Sequence, residues 1–89
     1  MKSIITVIGP DRVGIIAEVC TLLAQLNINI IDISQTIMHG VFTMIMFVEQ
    51  MEGSPAYEEV QSRLSAKGRE MGLEIRIQRE DIFNAMHRV

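Results

Sequence analysis

The stretch GPDRVGIIAEVCTLLAQLNINIID, residues 9–32, constrains the fold more than any other part of the chain. It reads as a strand end, a tight loop, an amphipathic helix and the start of a second strand. From about Val13 to Leu26, Ile15, Val19, Leu22, Leu23 and Leu26 recur at helical spacing, with Glu18, Thr21 and Gln25 on the other side. Asp11, or a residue later in the loop, is the expected N-cap. Asn27 is the expected stop, because asparagine tolerates the left-handed conformation. The remaining segments read as the scaffold that holds the two turns of this unit in place.

Upstream, Ser3 to Ile8 is nearly continuous in β-branched residues and predicts a covered strand, closed by Gly9-Pro10. Downstream, Ile28 to Met38 predicts a long strand. Simple alternation puts Asn29, Ile31, Ile33, Gln35 and Ile37 on one face. His39-Gly40 predicts a hairpin turn, with Gly40 supplying the positive φ. Val41 to Glu49 returns as a third strand, apolar on both faces and carrying Phe42 and Phe47 on opposite ones. Ser54-Pro55 predicts the start of a second helix, with Ser54 as cap. That helix carries Tyr57, Val60, Leu64 and Met71 inward, and Gly72 ends it. Leu73 to Arg79 alternates throughout, the pattern of a half-exposed edge strand. Glu80-Asp81 opens a last short helix with Ile82, Phe83, Met86 and Val89 as its apolar stripe.

The order is β-α-β-β-α-β with a short C-terminal helix. This predicts an α+β, ferredoxin-like sandwich: a four-stranded antiparallel sheet with two helices on one face. The length of 89 residues predicts one domain over 1–89. An apolar fraction of 48% against 21% charged excludes disorder and leaves more oily surface than so small a core can hide, which predicts self-association. On the face without helices, Met38, Met44 and Met46 are candidates for that contact. The alternative cover for them is the terminal helix.

Charge and motifs exclude several functions. The net charge is −3 and the eight basic residues are scattered, so no nucleic-acid partner is expected. The first loop lacks the Cys-x-x-Cys pair of a metal chaperone. The third strand has no lysine or arginine beside its aromatics, unlike sheets that stack RNA bases. Gly9 and Gly14 have P-loop spacing, but Ile15-Ile16 stand where Lys-Ser/Thr would be needed. His39 and His87 have no second ligand at useful spacing, so neither a metal nor a cofactor is expected. Cys20, the one cysteine, reads as a small core residue, and an unpaired thiol fits a reducing cytoplasm. No signal peptide or membrane span is expected. No nucleophile–base pair and no paired carboxylates converge, so no enzyme activity is expected.

What stands out is the Gly9–Gly14 loop. It leads into a helix N-terminus, which favours an anion, while Asp11 can meet an ammonium group and Asn29 offers a donor and an acceptor. That set suits an α-amino acid. The structural alternative is that Asp11 caps the helix, Arg12 is solvated and Asn27 ends the helix.

Asp11-Arg12-Val13-Gly14-Ile15-Ile16, followed by a helix and then Asn27-Ile28-Asn29-Ile30, resembles the ACT domain. The segment Asp81-Ile82-Phe83-Asn84-Ala85-Met86 resembles its short free-standing bacterial and archaeal members. The resemblance implies a non-enzymatic regulatory module that binds an amino acid at a homodimer interface and modulates a partner enzyme or regulator. It implies ligand-binding positions at Asp11, Arg12, Val13 and Gly14 of one subunit and at Asn27, Ile28 and Asn29 of another. Val13 replaces a frequent proline, and Gly9 stands where serine-sensing members can carry a histidine. The rival reading is a ligand-independent protein–protein adaptor that uses the edge strand Leu73–Arg79.

Overall fold

The computed structural model describes residues 1–80. Its elements are β1 (Lys2–Pro10), α1 (Ile15–Gln25), β2 (Ile28–Met38), β3 (Val41–Gln50), α2 (Tyr57–Met71) and β4 (Glu74–Arg79). The four strands lie in the order β2-β3-β1-β4, and every neighbouring pair is antiparallel. This is the ferredoxin-like sandwich expected from the sequence, with β4 at one edge and β2 at the other. The terminal helix expected after Glu80 lies outside the described residues.

Register decides which side of the sheet is covered. Ile5 opposes Met46 on β3 and Ile77 on β4, while Val7 opposes Met44 and Ile75. These residues are buried against Ile15, Val19, Leu22 and Leu23 of α1 and Val60, Leu64 and Met71 of α2. All five apolar positions expected on the first helix are therefore in the core, Leu26 included. The expectation for the methionines was wrong in part. Met44 and Met46 are fully buried under the helices, and only Met38 is exposed. The open face of the sheet instead presents Ile8, Val41, Ile45 and Phe47, each partly exposed. An apolar run on both faces of β3 cannot reveal its orientation; its pairing with β1 does.

A β-bulge changes the reading of β2. Ile30 pairs with Val48 and Asp32 with Phe47, so Ile31 is the extra residue. The Asp32 carboxylate accepts a hydrogen bond from the Ile33 N–H at 2.8 Å, satisfying a backbone donor beside the irregularity. The extra residue switches faces. Ile28 and Ile30 share the helix side with Ile33, Gln35 and Ile37, whereas Asn29 shares the open side with Asp32 and Ser34. Uninterrupted alternation had grouped Asn29 with Gln35.

Element ends depart from the expectation in three places. β1 continues through Pro10, which pairs with Val41. Its pairing to β4 stops at Ile8, so proline falls where that side of β1 has no neighbour to donate to. α1 starts at Ile15, capped by Gly14 in the left-handed conformation (φ 92°) with no side-chain cap bond, so Asp11 is not the cap. α2 starts at Tyr57 with Ala56 as cap. Gln50 Nε2 donates to Ser54 Oγ (3.2 Å) and to the Pro55 carbonyl (2.9 Å), which holds Ser54-Pro55 in the approach to the helix. The remaining stops are as read: Asn27 has φ 57°, Gly40 φ 76° and Gly72 φ 71°, joined by His39 at φ 52° in the hairpin. No described helix is long and apolar enough to cross a membrane.

Candidate functional site

The loop between β1 and α1 is fixed at both ends. The Asp11 N–H donates to the Gly40 carbonyl at 2.9 Å, which ties the loop to the β2–β3 hairpin. At the other end, Gly14 turns the chain into α1, and its carbonyl accepts the Glu18 N–H at 3.0 Å. A Cβ on Gly14 would meet nothing nearer than Glu18 Oε2 at 3.8 Å. Conformation, not crowding, requires glycine there.

Two of the loop's side chains are already used or point away. Arg12 Nη2 donates to Glu18 Oε2 at 3.0 Å, and Lys67 of α2 lies 3.4 Å from the other oxygen of that carboxylate. The Arg12 hydrogen bond is the main cause that lowers the Glu18 pKa from its ordinary value; desolvation opposes it and Lys67 adds to it. Val13 is 96% exposed. Asp11 differs, because its carboxylate has no ion-pair or hydrogen-bond partner among the described residues.

Beside this carboxylate lies an open groove of about 450 Å³ between the loop, the first turn of α1 and the distal half of β2. Asp11, Gly14, Ile15, Gln35, Ile37 and Phe42 are among its walls. Ile15 and Phe42 are buried and form its floor, while Ile37, 57% exposed, forms a rim. The helices do not extend over this end of β2, which is why Ile33, Gln35 and Ile37 remain exposed on the helix side of the sheet. A smaller cleft of about 250 Å³ separates α1 from α2, but its charged residues, Glu18 and Lys67, pair with each other.

The second set of expected residues lies elsewhere. The Asn27 Nδ2 donates to the Glu52 carbonyl, and the Asn27 carbonyl accepts the Met51 N–H at 3.1 Å. Ile28 is buried in the core. Asn29 is exposed and pairs with Glu49, whereas Pro10, just before the loop, pairs with Val41. The eight residue steps of β3 from Val41 to Glu49 amount to roughly 26 Å of strand. Within one chain, then, Asp11, Arg12 and Gly14 come together around the groove, and Asn27, Ile28 and Asn29 sit at the opposite end of the sheet. Gln35, Ile37 and Phe42 were not anticipated. Gln35 and Ile37 are two apart on one strand and Phe42 faces Ile37 across the hairpin, a grouping that the register makes and no motif announces.

Cys20 is only half-buried, not a core residue, and desolvation raises its thiol pKa. That favours the protonated, unreactive form.

A sandwich of this order is shared by many proteins, and here the comparisons are specific. Residues 3–78 match the model of an ACT domain family. A UPF0237 protein of Listeria innocua is 52% identical over 89 residues and is covered along the full length of both chains. Among solved structures, an ACT domain protein from Streptococcus pneumoniae superimposes with a TM-score of 0.83 at 39% identity, covering 98% of each chain. A formyltetrahydrofolate deformylase from Pseudomonas syringae pv. tomato is 28% identical with a TM-score of 0.73; the match takes in 88% of this chain but 27% of the deformylase. The chain belongs to the ACT domain family, whose members are generally regulatory ligand-binding modules.

Proposed function

We propose that the protein is a non-enzymatic sensor that binds an amino acid at a homodimer interface in the cytoplasm and thereby alters its contact with a partner enzyme or regulator. The observation that carries this reading is the unpaired Asp11 carboxylate on the wall of a groove next to Gly14. Asp11 receives the ammonium group, and the loop through Arg12, Val13 and Gly14 frames the ligand. Asn29 of a second copy, with Asn27 and Ile28 holding the turn before it, completes the site. A second copy is necessary because one chain keeps these halves roughly 26 Å apart along the sheet.

Two surfaces favour a second copy. The edge of β2 is exposed from Ile31 to Met38, and the open sheet face carries Ile8, Val41, Ile45 and Phe47. Apolar patches of this kind in a small domain are normally covered. Ligand binding shifts such a dimer only through a difference in affinity between its arrangements.

The adaptor reading through β4 has less support. That edge carries Glu74, Arg76 and Arg79, and charges along an edge discourage strand addition.

A thermal-shift screen of the protein against the amino acids tests the proposal. Ligand at a hundredfold its dissociation constant stabilises the fold by roughly 2.7 kcal/mol. The expected result is a hit that disappears in Asn29→Ala. Absence of any hit would move the function to ligand-independent protein contact.

A further inference from the structure

The groove has a chemical character that narrows the ligand beyond "an amino acid". Its floor is Ile15 and Phe42, both 2% exposed, and its rim is Ile37. Its polar side chains on the two sides are few. Asp11 stands on the loop side with its carboxylate unpaired, and the side-chain amide of Gln35 on the β2 side has no hydrogen-bond partner among the described residues. Arg12 also borders the groove, but its guanidinium is occupied by Glu18 and the Val13 carbonyl. Thus the groove offers one anion, one neutral amide with two N–H donors, and an apolar surface between them.

We propose that this groove selects a small α-amino acid with a branched apolar side chain. The inference rests on the reading of the loop as a ligand site. Asp11 holds the ammonium group, the Gln35 amide donates to the carboxylate, and Ile15, Ile37 and Phe42 enclose the side chain. On the walls that this chain supplies around the side chain, a hydroxyl or amide would find the apolar carbon of Ile15, Ile37 and Phe42, and an unmatched polar group loses binding. Ile37 is therefore the specificity-determining residue and Gln35 the carboxylate-binding one, both supplied by the same chain as Asp11. They lie close to the groove without the help of a second copy, unlike Asn29.

Calorimetric titration of the full chain with L-leucine, L-valine, L-serine and glycine tests this. An apolar pocket gains about tenfold or more for each well-buried methylene. L-Leucine or L-valine is expected to bind at least about tenfold more tightly than L-serine or glycine. 4-Methylpentanoate, which lacks the ammonium group, is expected not to bind. Ile37→Ser should erase the preference. Its exposed rim position leaves the fold intact, which circular dichroism verifies, and Gln35→Ala provides a second variant that should weaken all ligands alike.

Tightest binding of L-serine or glycine, unaltered by Ile37→Ser, would overturn the selectivity and leave the sensor reading standing. Absence of binding by every amino acid would overturn both. Unchanged L-leucine affinity in Ile37→Ser with loss of the dimer in sedimentation would overturn the proposal and assign the groove to contact between copies.

Discussion

Glu18 holds Arg12 with one carboxylate oxygen at 3.0 Å and Lys67 with the other at 3.4 Å. One exposed carboxylate thus links the loop, α1 and α2. The sign of its pH dependence follows from its lowered pKa. A group whose folded pKa is depressed stabilises the fold above its unfolded pKa and loses that effect as pH falls through the folded one. Glu18→Gln should therefore lower stability modestly at neutral pH, and the difference from the native chain should vanish below the ordinary carboxylate range. Urea unfolding at the two pH values checks this. High salt should shrink the neutral-pH difference, since exposed pairs are screened. A difference independent of pH would contradict the assignment.

Gly68 sets helix propensity against packing. Propensity alone favours alanine in a helix by about 1 kcal/mol. However, a Cβ on Gly68 would lie 2.7 Å from the backbone oxygen of Leu73, which cannot yield as a side-chain tip can. Gly68→Ala is expected to cost about 1–3 kcal/mol in chemical denaturation. A gain in stability would show that α2 and β4 can separate freely.

The methionines of β2 and β3 should behave oppositely. Met44 is fully buried and Met38 is 67% exposed. Met44→Ala should cost about 2–5 kcal/mol, as for other large-to-small core changes. Met38→Ala should stay within about 0.5 kcal/mol for the monomer. A larger loss for Met38→Ala than for Met44→Ala would place the sheet the other way up.

Asn27 is a poor residue with which to test binding. It combines φ 57° with a side-chain bond to the Glu52 carbonyl. Asn27→Ala should cost about 1–2 kcal/mol through backbone strain alone, and Asn27→Gly should recover most of that. Thermal unfolding of the two variants separates the backbone requirement from any effect on a ligand. If Asn27→Gly is as unstable as Asn27→Ala, the side-chain bond is the larger contribution.

The fold was largely legible because its signals are periodic. The apolar stripe of α1, the alternation of Leu73–Arg79 and the turn residues Asn27, Gly40 and Gly72 each fall where read. What escaped depends on single hydrogen bonds or on register. The bulge at Ile31 adds one residue and puts Asn29 and Asp32 on the same face, where simple alternation separates them. The start of α2 falls at Tyr57 and not at Ser54-Pro55, because the Gln50 side chain holds Ser54 and Pro55 in the approach to the helix. In the candidate site, the loop is legible from Asp11 and Gly14, whereas Gln35 and Phe42 reach it through the β2–β3 pairing and the bond from the Asp11 N–H to the Gly40 carbonyl. Their spacing carries no motif.

The most direct measurement is ligand binding to mixed dimers. Asp11→Ala and Asn29→Ala remove different halves of the proposed shared site, so neither variant alone should bind the amino acid found by screening. Refolded together in equal amounts, they form mixed dimers in which one of the two sites is whole. Equilibrium dialysis should then recover about a quarter of the native number of sites, as two-fold symmetry and random pairing require. A mixture that stays inactive, or single variants that bind like the native protein, would contradict a site shared between copies.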